Sequence, residues 1–258
     1  MTRRELIFSV AAVPAFLSVE PATLEPAAPE PAALPDSFPR QAPDMVQEMV
    51  IVAHGNVKRV RELVGAHPAL AKAAIDWGFG DWEDALGAAS HVGNREIAEF
   101  LIANGARPTI FSAAMLGHLD AVKAFVAGQP GVQRIAGPHS ISLLAHAKAG
   151  GPAAAAVHEY LDRLGDAGGP ATAAISDDEK AALAGSYAYG SEPSDRITIA
   201  IEKGTVMFSK PGMPFGRPLY HLGQQAFFPA GASAVRIRFG ERTVTVEDGD
   251  LTLRATKL

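Results

Sequence analysis

Hydrophobic positions along this chain change period once. Between residues 44 and 165, apolar residues recur three and four apart in short runs. HGNVKRVRELV at 54–64, VGNREIAEFLI at 92–102 and LGHLDAVKAFV at 116–126 each set a Gly and a small polar residue ahead of an amphipathic helix. Four helix pairs can be laid out, with marker glycines Gly55, Gly93, Gly117 and Gly150 spaced 38, 24 and 33 residues apart. Self-similarity at that spacing predicts stacked helix pairs, a solenoid. After residue 176 the period becomes two. Ile197, Ile199 and Ile201 alternate with Thr198, Ala200 and Glu202, and Val235, Ile237 and Phe239 alternate with Arg236 and Arg238. Short runs of this kind, bounded by Gly, Pro or Asp, predict antiparallel strands with one dry face and one wet face.

The helical stretch resembles the ankyrin repeat. The likeness is carried by ALGAASHVGNREIAEFLIANGARP at 85–108 and by SAAMLGHLDAVKAFV at 112–126, and it covers about 120 residues. It departs from the family in lacking the Thr-Pro-Leu-His opening and in the short 24-residue spacing, which leaves no room for a normal hairpin finger. The β stretch resembles the small β domain appended to serine-β-lactamase-like hydrolases, through Leu183-Ala184-Gly185-Ser186-Tyr187, a Gly-Met-Pro turn and Ala226-Phe227-Phe228-Pro229. In that family the module is accessory to catalysis. The expected fold class is therefore α+β, an N-terminal ankyrin-like α-solenoid at 44–165 followed by a small antiparallel β meander or half-barrel at 176–258. Residues 166–175 form a flexible link between them.

The N-terminus reads as an address. Arg3 and Arg4 precede an apolar run from Leu6 to Leu17, which resembles a bacterial twin-arginine export signal. The run is too short for an ordinary membrane span, so no integral span is expected once the signal is removed. Seven of the 26 residues at 18–43 are Pro, which predicts a semi-extended linker. The resemblance implies a periplasmic or otherwise extracytoplasmic protein, and a cytoplasmic one if the signal is not used.

Charge narrows the partners. Net charge is −5, residues 44–165 carry 10 basic and 12 acidic side chains, and residues 176–258 carry 10 of each. No basic surplus exists to neutralise phosphates, which argues against nucleic acid. The absence of Cys removes disulfides, thiolate metal sites and a Cys nucleophile.

The best binding candidate is the insertion KAAIDWGFGDWED at 72–84, with Trp77, Phe79, Asp81 and Trp82. Aromatics in a Gly-rich loop can anchor an interface; they can equally fold back and cap the groove between the first two helix pairs. Tyr187, Phe208, Phe228 and Phe239 could line a pocket for a small apolar ligand, although core packing is the commoner use of aromatics. No GxSxG, SxxK or phosphate-binding loop is present. The eight histidines include no HxxxH pair. His54, His91 and His118 read as turn or capping residues, whereas His139 and His146 lie seven apart around one helix and could meet on one face. The functional expectation is thus a non-catalytic protein- or peptide-binding scaffold, with no catalytic residue, no cofactor and no metal; the alternative is an apolar-ligand protein using the β domain.

Overall fold

A computed structural model describes residues 34–258 of the chain. The expected signal at 1–17 and most of the Pro-rich linker lie outside these residues. The helical part begins with α1 (Pro43–Val52) and α2 (Val57–Ala66), continues with α3 (Ala85–His91), α4 (Arg95–Ala103), α5 (Ile110–Leu116) and α6 (Leu119–Gly128), and closes with α7 (Leu143–Ala149) and α8 (Ala155–Leu164). Between α2 and α3 stands a hairpin of two three-residue strands, β1 (Ala74–Asp76) and β2 (Trp82–Asp84), which pairs Ile75 with Glu83. No helix among the described residues is long and apolar enough to cross a membrane.

Local chemistry sets the helix starts. Asn56, Asp84, Asn94, Thr109 and Ser142 each accept a backbone N–H of the first turn that would otherwise lack a partner. α3 packs on α5, and α5 on α7. Small residues make these crossings close: Ala88, Ala89 and Ala114 are fully buried. At Gly117, φ is +78° and any Cβ would strike the Ala153 carbonyl, so the position requires glycine twice over.

A short helix, α9 (Asp177–Leu183), leads into β3 (Gly185–Ala188), β4 (Arg196–Glu202), β5 (Thr205–Ser209) and β6 (Arg217–Gly223). β7 (Ala226–Pro229), β8 (Arg236–Phe239), β9 (Thr243–Asp248) and β10 (Leu251–Lys257) complete the sheet. Consecutive strands pair antiparallel, and β10 pairs with β9 on one side and β3 on the other, closing an eight-stranded barrel. Ile197, Ile199, Val206, Phe208, Phe227, Ile237, Val244 and Val246 are all buried and fill the interior. Tyr187 donates its hydroxyl to the Leu183 carbonyl at 2.7 Å, tying α9 to the barrel.

The protein is not an ankyrin-like α-solenoid followed by a meander or half-barrel: its described residues form nine α-helices and a closed eight-stranded antiparallel barrel. The repeated Gly turns mark helix junctions, but the connections between pairs differ throughout. One is a 3-10 turn (Pro68–Lys72) plus the β hairpin, another a direct turn into Thr109, and a third two 3-10 turns at Val132–Arg134 and Pro138–Ser140. Period-two alternation is the same in an open sheet and a closed one and leaves the two undecided; closure rests on Thr256 and Lys257 pairing with Ala188 and Tyr187, far away in the chain. Of the aromatics proposed to line a pocket, Tyr187, Phe208 and Phe239 belong to the packed interior, and Phe228 stacks on Tyr220 with ring centroids 5.1 Å apart.

Phe227 is fully buried, edge-on to Phe239 at 5.4 Å. Phe227→Ala is expected to cost about 3–5 kcal/mol of stability, measured by denaturant unfolding.

Candidate metal centre

Four potential metal ligands converge where the helical part meets the barrel. They are His54, just beyond the C-cap of α1; Glu83, the central residue of β2; His91, the last residue of α3; and His139, in the 3-10 turn before α7. One donor atom from each lies within 4.8 Å of the other three. Glu83 is the centre. Its Oε1 is 2.8 Å from His91 Nε2 and 3.7 Å from His54 Nε2, and its Oε2 is 3.4 Å from His139 Nε2. Trp77 Nε1 donates to the same Oε2 at 2.7 Å.

Backbone geometry produces this convergence. In β2, alternation sends Trp82 outward and Glu83 inward, from 64% exposed to none. Asp84 then caps α3, which carries His91 back to the carboxylate one helix length later. His54 Nδ1 sits 3.1 Å from the carbonyls of both Val50 and Ile51. Donation there leaves Nε2 as the nitrogen with the lone pair, the arrangement by which a second hydrogen bond fixes the tautomer of a metal-binding imidazole. His139 has φ +58°. Its Nδ1 lies 2.7 Å from Asp81 Oδ2, and its backbone N–H donates to Asp81 Oδ1 at 2.9 Å. Asp81 in turn pairs with Arg217 at the start of β6, and both side chains are buried.

The charges are set by these contacts. Burial disfavours ionisation of Glu83, but hydrogen bonds from His139, His91 and Trp77 outweigh it and hold the carboxyl at about 2. Burial likewise disfavours a charged His139, yet the flanking Asp81 and Glu83 raise it to about 9. For Asp81, burial pushes up, and the contacts with His139 and Arg217 bring the carboxyl below its usual range. Without metal the Asp81 and Glu83 carboxylates are thus faced by the His139 imidazolium and the Arg217 guanidinium.

The donor set suits a divalent transition ion. Zinc holds imidazole nitrogen and carboxylate oxygen at roughly 2.0–2.2 Å, which puts tetrahedral ligands about 3.3–3.5 Å apart. The approaches of His54 to Oε1 at 3.7 Å and of His139 to Oε2 at 3.4 Å lie near that value, while His91 at 2.8 Å stands at hydrogen-bond distance from Oε1. Imidazole suits zinc, copper, iron and nickel, while hard all-oxygen cages suit calcium and magnesium. Binding at neutral pH requires His139 to give up a proton.

No family model, curated protein or solved structure matches this chain.

The insertion at 72–84 divides. Trp77 is buried against Glu83, Asp81 is buried between His139 and Arg217, and Phe79 turns to the barrel core, 5.9 Å from Phe208. Trp82 alone of the four faces solvent. His139 and His146 do not share a helix: His139 stands in the 3-10 turn and His146 in α7. Sequence reasoning missed Glu83 as a ligand and treated His54 and His91 as turn residues. Their one visible signal was a shared setting, a His at each of the first two helix–Gly–Asn junctions.

In metal-free protein, His139 contributes stability that is complete below its ordinary value of 6.5 and is lost as pH rises through about 9. The melting temperature of metal-free protein is expected to fall across that window, and His139→Asn to flatten the fall.

Proposed function

We propose that this protein binds one divalent transition-metal ion of the zinc class through His54, His91, His139 and Glu83. The observation that carries the reading is the mutual approach of four donors within 4.8 Å around a carboxylate with no exposure to water. Supporting it, His54 and His139 each have Nδ1 engaged by an outer hydrogen-bond partner, the outer-shell pattern that orients ligating imidazoles. The side chains of His54 and His139 keep 34% and 21% of their surface exposed, so the ion is reachable from solvent. Four protein ligands complete a tetrahedral zinc shell, the closed arrangement of a structural centre.

Metal-stripped protein titrated with Zn2+ or Co2+ is expected to take up one equivalent, with Co2+ giving a visible ligand-field band. At about 100 times the dissociation constant, the ion should add about 2.7 kcal/mol of stability. Glu83→Gln and His91→Ala should each remove most of the uptake. Wild-type protein that binds no more ion than His91→Ala would sink the reading.

A protein or peptide partner is a second reading, and Trp82 favours it, since a 64% exposed indole is an effective interface anchor. Arg3 and Arg4, read as an export signal, direct the search to an extracytoplasmic fraction. Capture with Trp82→Ala should lose the partner; equal recovery would remove Trp82 as a contact.

A further inference from the structure

His139 and Ser140 are consecutive non-glycine residues in the left-handed region, with φ of +58° and +59°. Such backbone is costly and persists only where surroundings hold it. Here the holding groups are Asp81, from the loop between β1 and β2, and behind it Arg217 and Gly231 of the barrel. Asp81 grips His139 by both its backbone N–H and its Nδ1, and Arg217 grips Asp81. Arg217 also donates from Nη1 to the Ala230 carbonyl at 3.2 Å and from Nη2 to the Gly78 carbonyl at 3.3 Å. Its guanidinium carbon lies 5.1 Å from the centre of the Phe215 ring, which is itself 5.9 Å from the His139 ring. One residue along, the Gly231 N–H donates to Ser140 Oγ at 2.7 Å. Gly231 has φ +82°, and any Cβ there would collide with the Asp81 carboxyl, so the barrel turn is shaped to admit this side chain.

We propose that Arg217 is a positioning residue by which the barrel holds His139, through Asp81, in place as a metal ligand. The inference rests on the metal reading above. A fully buried Arg–Asp pair is weak evidence for stability, because desolvating both charges offsets much of their attraction. What the planar fork supplies is geometry: it meets a carboxylate and two carbonyls at once, which a lysine ammonium on a flexible stem cannot reproduce. Charge and position are therefore separable. Removing the positive charge alone would draw a cation in more tightly; losing the position would release it.

The test is a mutant cycle on Co2+ and Zn2+ affinity in the full chain, using Arg217→Lys, Arg217→Met, His139→Ala and the two double variants. Arg217→Lys is expected to weaken binding about 10-fold and Arg217→Met about 10- to 100-fold. The Co2+ band of each should shift toward that of His139→Ala, with little further loss in the doubles, because both changes remove the same ligand. Wild-type affinity in Arg217→Lys, tighter binding in Arg217→Met, or losses that add to His139→Ala would overturn the proposal while leaving the metal reading intact. A wild type that binds neither ion overturns both. If Arg217→Met does not fold, Asp81→Asn takes its place in the cycle, with a weaker Co2+ site expected and an unchanged one counting against the proposal.

Discussion

A carboxylate with no exposure to water must be met by donors or cations on every side. Glu83 imposes that condition on this molecule. It is satisfied from Trp77 within its own hairpin, from His91 at the end of α3, and from His54 and His139 reaching in from α1 and from the turn before α7. Four segments that share no local structure are committed to one point. The hairpin that supplies Glu83 also supplies Asp81, whose partner Arg217 belongs to the barrel. The short loop at 77–81 is thereby the joint through which helices and barrel agree on one arrangement.

Local elements were legible in the chain; the architecture they build was not. Helices appeared where apolar residues recurred three and four apart, as in Ile97, Phe100 and Leu101, and strands where Ile197 and Ile199 flanked Thr198, because these periods reflect which face meets the core. What failed was long-range closure. The ankyrin likeness described short segments around Gly93 and Gly117 and carried no information on how unequal connections would seat them. Alternation in β4 and β8 was visible, but the pairing of β10 with β3 was not.

The site was legible only in part, for the same reason. Trp77 and Asp81 stood out as an unusual aromatic-acidic run, and both lie at the centre. Glu83 looked like one acid among several flanking that run, and only strand alternation separates it from exposed Trp82. His54, His91 and His139 sit on separate segments, so no spacing rule for one helix face could gather them. Arg217, across the molecule, had no local mark at all.

The two tryptophans of the chain stand in opposite surroundings. Trp82 is open to water, whereas Trp77 is enclosed, bonded to Glu83 and packed against Phe215 at 5.2 Å. Two indoles in such different environments should fluoresce differently. Exposure places Trp82 where soluble quenchers can reach it, and burial shields Trp77, whose indole lies one hydrogen bond from the carboxylate. The chain thus carries an optical reporter of its own candidate centre, with an internal reference five residues away.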